Sequence, residues 1–274
     1  MRKKSLILMA VCFILIVFVF SASAFNDDDL RTLNETGACL RGDLNSIDLH
    51  EKNLCRVNLY GTDLRRANLR STNLRNADLR LTSLHKADLR DAKLSNAKLY
   101  RTDLSYANIS DADLSGADLS NADLTNADLS CTILRKANLN NANLSHANFS
   151  FADLSNVNLS NANLSNANLD GANLRKANLN GAILSNAVLS NAILSNANLS
   201  NANLSHANLN GANLSNANLS NANLSNANLD GAYLRKANLN GANLDGANLD
   251  DANLNGIYIS RRLNSLLGII KQYL

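Results

Sequence analysis

From Gly42 to Arg261 the chain is written in five-residue units, 44 in succession with no insertion. The third residue of every unit is apolar: 41 are Leu, and the others are Ile109, Phe149 and Ile259. The first residue is usually Ala, as at Ala67, Ala77 and Ala87, and the second is mostly Asn or Asp. The last two are mostly polar, often Ser-Asn, Asn-Gly or Asp-Gly. A period of five excludes both regular elements. Five residues of α-helix advance about 140° past a full turn, so Leu and Ala would spread around every side. On a flat strand an odd spacing sends successive Leu residues to opposite faces. Asn and Ser are also poor helix formers. The chain must therefore turn once per unit, so that each Leu and Ala points toward a shared axis. Asn, Asp, Ser and Gly at the unit ends supply the turn chemistry. The packing units are small, because the 274 residues include no Trp, no Pro and only 4% aromatics.

The repeated phrase A-(N/D)-L-x-x resembles the pentapeptide-repeat family over residues 42–261. That resemblance implies an all-β fold, a right-handed quadrilateral β-helix in which four units make one coil of twenty residues. It also implies that the first and third residues of each unit face inward. Forty-four units then make eleven coils, a rod roughly 53 Å long at an inter-strand spacing of about 4.8 Å. Each coil contacts only its neighbours, so both ends are open sheet edges that need covering. Residues 25–41 are expected to cap the first coil, where Lys52 falls at a nominally inward position. Residues 262–274 are expected to form a short C-terminal helix, because Leu263, Leu266, Leu267 and Ile270 have helical spacing. That helix could cap the last coil or join two copies as a homodimer.

Residues 1–24 read as a secretory signal peptide. Arg2, Lys3 and Lys4 precede a fifteen-residue apolar run, Leu6 to Phe20, and Ser21-Ala22-Ser23-Ala24 supplies an A-x-A exit. The run is shorter than the roughly 20 residues of a spanning helix, so cleavage after Ala24 is expected over an uncleaved anchor, leaving no membrane span. A periodic-repeat rod in the periplasm or medium follows. Without Arg2, Lys3 and Lys4 the chain has 23 basic and 23 acidic residues, and its net charge falls from +3 to zero. Nothing global then recommends nucleic acid as a partner. Three cysteines remain, Cys39, Cys55 and Cys131, an odd number that leaves at least one unpaired within the chain. Cys39 and Cys55 could form a bridge or stand as separate thiols.

Residues twenty apart should stack on one face if a coil holds twenty. Arg135-Lys136, Arg175-Lys176 and Arg235-Lys236 then share a face with Arg75, and His146 stands in line with His206. Residues 134–193 and 194–253 carry the same phrases, which points to duplication of three whole coils. Duplication by whole coils preserves faces, so the alignment of basic pairs has an inherited explanation beside a ligand-binding one. Residues 41–101 hold 13 basic and 7 acidic residues, whereas 102–134 hold six aspartates and no Lys or Arg. Tyr60, Arg80 and Tyr100 are expected to stack outward, and Thr62, Thr82 and Thr102 inward, where their hydroxyls need partners. Ile183, Val188 and Ile193 fall at the outward second position of their units and are expected to form a small contact patch.

Enzyme signals are absent from the sequence. His50, His85, His146 and His206 lack metal-ligand spacing, no Gly-rich phosphate loop occurs, and no cofactor is called for. Two functions remain. One is an exported structural or binding rod acting on an unknown protein partner. The other is suggested by the family resemblance, some of whose members mimic DNA and bind type II topoisomerases. That alternative calls for a cytoplasmic, acidic protein, against both the leader and the neutral charge.

Overall fold

Each unit closes on a tight turn. The N–H that opens the next unit donates to the third residue's carbonyl, as from Ala67 to Leu64 at 3.1 Å. The fifth residue is left-handed, with φ of 58° at both Arg66 and Asn76. Positive φ at that place in the turn is the mark of type II geometry, which Asn and Gly adopt at least cost. In this computed structural model, which describes residues 25–259, the turn recurs from end to end. Three further N–H groups per unit bond to neighbouring coils. Asp88 N–H donates to Ala67 O at 2.9 Å, Leu64 N–H to Ser83 O at 2.8 Å, and Arg66 N–H to His85 O at 2.9 Å.

The fourth N–H has no backbone acceptor in this scheme, and the second residue's side chain supplies one. Ser115 N–H donates to Asp113 Oδ1 at 3.0 Å, and Ser165 N–H to Asn163 Oδ1 at 3.1 Å. This explains why the second position is mostly Asn or Asp. Asn also bonds along the rod: Asn158 Nδ2 donates to Asn138 Oδ1 at 3.0 Å, and Asn178 Nδ2 to Asn158 Oδ1 at 3.1 Å.

Parallel bridges join second residues twenty apart, from Ala38↔Asn58 to Asn238↔Tyr258. A coil therefore holds four units and the rod has four faces, each contributing one bridging residue per coil. We number the faces by the units that build them. Face 1 uses units beginning at 42, 62 and so on, face 2 those at 47 and 67, face 3 those at 52 and 72, and face 4 those at 37, 57 and 77. Fourth and fifth residues form the corners. The first and third residues fill the bore and are almost wholly shielded, Phe149 included. Each buried Leu contributes on the order of 1.5–3 kcal/mol before entropy is subtracted. The inward threonines find acceptors on the coil below: Thr82 Oγ1 donates to Leu59 O at 2.8 Å and Thr102 Oγ1 to Leu79 O at 2.7 Å, while Thr62 donates to Cys39 O.

The N-terminal end is closed by helix α1, Asp27–Thr36. Asn26 caps it by accepting from Asp28 N–H, and Asp27, Asp28 and Asp29 sit where the helix dipole favours negative charge. Gly37, at φ 68°, ends it with an N–H bond to Leu33 O. Asp29 Oδ2 accepts from Asp43 N–H at 2.8 Å and so pins the helix to the first coil, with Leu33 buried over the bore. The ladder begins before residue 42. Ala38 already bridges Asn58, and Cys39 occupies the bore position that Leu holds elsewhere, so the boundary of the cap lies one unit earlier than the period suggests. Lys52 is not sealed inside as its register implied. It is exposed, because its unit stands at the open end of face 3 with no coil beneath it. The leader at 1–24 and the C-terminal helix at 262–274 lie outside the described residues. Among those described, no helix is long and apolar enough to cross a membrane.

Candidate functional site

The three basic pairs come from the fourth and fifth residues of face 3 units, so all project from the corner between faces 3 and 4. Units begin at 132, 172 and 232, two and three coils apart. That sets the pairs about 10 Å and about 14 Å from one another along the rod. All six side chains are exposed. Arg135 is held by the Asp153 carboxylate, one coil further on. Burial raises the Asp153 carboxyl, but hydrogen bonds from Arg135 and Ser155 outweigh it and the net shift is downward. Lys136, Arg175, Lys176, Arg235 and Lys236 form no ion pair among the described residues. Along this corner the fourth and fifth residues include Arg56, Arg75 and the three pairs, and no Asp or Glu. Beside Arg135 and Lys136 lies a shallow polar depression of about 330 Å³ lined by Ser95, Asn96, Ser115 and Gly116.

Ile183, Val188 and Ile193 do not form the expected patch. They belong to units on faces 1, 2 and 3 of one coil, and each bridges a different pair of neighbours. Five residues carry the chain a quarter of the way round, so proximity in sequence places them on different sides. Vertical neighbours are twenty residues away, and on face 3 those of Ile193 are Asn173 and Asn213.

The N-terminal basic band is more neutral than its composition implies. Three units contain Asp-Leu-Arg, with Asp at the second and Arg at the fourth position. Arg80 donates to Asp78 at 2.8 and 2.6 Å, Arg90 to Asp88 at 2.9 and 2.6 Å, and Arg65 to Asp63 at 2.9 Å. Hydrogen bonding from these arginines holds all three carboxyls below the ordinary range. Arg70 reaches Asp91 at 3.4 Å. The repeated D-L-R phrase was the signal available in the sequence. Arg80 also lies over the Tyr60 ring at 5.5 Å, whereas Tyr100 is covered by Arg101 at 5.2 Å instead of Arg80. His85 meets Tyr106 edge-on at 5.6 Å, a contact that periodicity alone did not reveal.

The acidic band proves to be ladder chemistry. Asp118, Asp123 and Asp128 accept turn N–H groups from Ser120, Thr125 and Ser130 at 3.0–3.1 Å. All three cysteines are free. Cys39 points into the bore, where burial and then the Asp29 charge push its thiol up, while Cys55 and Cys131 are exposed on corners. No group of three or more His, Cys, Asp or Glu among the described residues is arranged to hold a metal ion. An apolar recess of about 440 Å³ opens between α1 and the first coil, lined by Phe25, Leu30, Leu33, Ile47 and Leu54 among others. It is the unfilled remainder of the end closure.

Four short sides around an apolar bore, with amide ladders outside, define a quadrilateral β-helical solenoid. The chain matches the model for pentapeptide repeats in eight copies between residues 47 and 256, and it belongs to that family, whose fold is the right-handed form of this solenoid. No curated protein sequence matches it. Among solved structures it is similar to HetL, a pentapeptide-repeat protein involved in heterocyst differentiation regulation in Nostoc sp. strain PCC 7120. Identity is 38%, over 85% of this chain and 96% of HetL, with a TM-score of 0.37. QnrB1, a plasmid-mediated fluoroquinolone resistance protein, is 16% identical over 82% of this chain and 97% of its own, with a TM-score of 0.51, a likeness of fold. Rfr23 of the cyanobacterium Cyanothece 51142 is 48% identical over 34% of this chain and 60% of its own, with a TM-score of 0.27.

Proposed function

We propose that the chain is an exported, non-enzymatic rod that binds a protein partner along its outer surface. The observation that carries this reading is the corner between faces 3 and 4. Lys136, Arg175, Lys176, Arg235 and Lys236 stand there in line, exposed and without ion-pair partners among the described residues. They are mounted on a backbone whose turns and ladders do not vary, so their spacing is held by the scaffold. A rigid row of cations suits recognition of an acidic protein surface, where charge complementarity sets orientation and association rate. Export rests on the leader-like residues 1–24.

Two measurements test the reading. Cell fractionation with N-terminal sequencing should recover the protein outside the cytosol with Phe25 first; a full-length chain in cytosol would reject export. Pull-down from the exported fraction should lose its partner when Arg175, Lys176, Arg235 and Lys236 are all changed to Ser. Equal recovery by both forms would remove the corner from the binding surface. The alternative, a DNA mimic directed at a type II topoisomerase, calls for an acidic exterior. Zero net charge beyond residue 24 and an acid-free corner weigh against it. Inhibition of a purified type II topoisomerase by the folded chain would restore it.

A further inference from the structure

An apolar residue at the second position forfeits the acceptor of its own turn N–H and interrupts the amide ladder. Face 4 shows the undisturbed pattern, with Asn138, Asn158, Asn178, Asn198, Asn218 and Asn238 joined one to the next at 3.0–3.3 Å. Face 3 breaks it three times over the same stretch, at Ile133, Ile193 and Tyr233, which are 37%, 38% and 53% exposed. Duplication does not account for them. Tyr233 stands where the other copy has Asn173, and Ile193 stands where the later copy has Asn253.

The two corners bordering face 3 carry opposite charge. Asp170 lies on the corner before unit 172–176 and Arg175-Lys176 on the corner after it. Asp230 and Arg235-Lys236 flank unit 232–236 in the same way. Neither aspartate is ion-paired among the described residues; Asp230 accepts only from Asn210, at 2.9 Å on its side chain. A two-fold axis parallel to the rod and lying over face 3 reverses left and right but preserves height. It sets Asp170 of one protomer against Arg175 and Lys176 of a second copy, and Asp230 against Arg235 and Lys236. Heights match within about a quarter of the ~4.8 Å coil spacing. An antiparallel copy would instead oppose acidic corner to acidic corner. Along the axis each second residue meets its own counterpart: Ile133, Ile193 and Tyr233 bury apolar surface, and Asn173 and Asn213 each offer a donor and an acceptor. Asp153, which would meet itself, is already neutralised by Arg135.

We propose that face 3, from Ile133 to Tyr233, is the interface of a parallel, in-register dimer of this chain. This surface is independent of a partner on the remaining faces and of the C-terminal residues.

The test uses the full secreted chain carrying Cys55→Ser and Cys131→Ser. Asn213→Cys places a thiol on the axis, and Asn203→Cys places one on face 1. Both changes remove an equivalent turn acceptor, since Asn213 serves Ser215 N–H at 3.0 Å and Asn203 serves Ser205 N–H at 3.1 Å. Under mild oxidation Asn213→Cys should give a disulfide-linked dimer and Asn203→Cys should not. In sedimentation equilibrium Asp170→Lys with Asp230→Lys should weaken the dimer by about tenfold or more. Adding Arg175→Asp, Lys176→Asp, Arg235→Asp and Lys236→Asp should restore it, because the swap re-creates opposite charges at equal heights. A monomer at about 100 µM, a dimer linked through position 203, or a dimer indifferent to the swap would overturn the proposal. So would a monomer that binds polyglutamate through the basic corner, which would make the corner a ligand ridge.

Discussion

At the scale of the residue, the second position of each unit carries more of the architecture than its exposure suggests. Asn158 Oδ1 accepts from Ser160 N–H at 3.2 Å, from Ser160 Oγ at 2.8 Å and from Asn178 Nδ2 at 3.1 Å, while its own amide donates to Asn138. Asn158→Leu should therefore destabilise the rod by about 1–3 kcal/mol, read from urea unfolding. Asn158→Asp keeps every acceptor and loses only the donor, so its cost should be smaller. Equal losses would mean that the acceptors contribute nothing. The same reasoning gives the Ile and Tyr residues at this position their meaning. Each gives up a local bond, and the compensation must come from something the isolated chain does not contain.

The element is the coil, and its interior admits little adjustment. Phe149 fills a bore position that Leu holds in neighbouring units, with no exposed surface. Phe149→Ala should cost about 3–5 kcal/mol by leaving a cavity between stacked coils that cannot collapse. Hydrogen exchange should rise most in the coils on either side, since each coil rests only on its neighbours. A uniform rise along the rod would contradict that picture. The buried threonines behave differently. Leu59 O accepts both Thr82 Oγ1 at 2.8 Å and the turn N–H of Thr62 at 3.1 Å. Removing the hydroxyl leaves that carbonyl satisfied, so Thr82→Val should lie within about 1 kcal/mol of the parent in thermal melts. A larger loss would show that the hydroxyl itself holds the coils together.

Across the whole molecule, charge is organised by height as well as by corner. The Asp63, Asp78 and Asp88 clips all lie in the first third of the chain, and their carboxyls are held down by the Arg65, Arg80 and Arg90 hydrogen bonds. A carboxyl depressed on folding stabilises fully above its unfolded value of about 3.9 and loses that contribution as pH falls through the depressed value. The N-terminal coils should therefore open first on acidification below about pH 4, while the Asn-rich coils beyond residue 154 change less. Hydrogen exchange resolved by segment checks this, and simultaneous opening of both regions would refute it. Arg80→Gln should leave Asp78 unpaired and reduce the acid sensitivity of its coil.

Periodicity alone determined that the chain turns every five residues around an apolar bore, because the rule is local and each unit restates it. It also identified which positions face inward, down to the threonines that needed acceptors, and resemblance supplied the four-sided coil. What stacks on what was decided by the closed tertiary structure. The number of units per coil belongs to the closure of the bore and is encoded in no single unit, so vertical neighbours are invisible at short range. That is why Ile183, Val188 and Ile193 read as one patch and lie on three sides, and why Cys39 enters the bore before the repeat becomes regular. It is also why composition overstated the charge of a band whose arginines are clipped to their own aspartates. The amide ladder itself is a contact between residues twenty apart, formed only when the coils are in register.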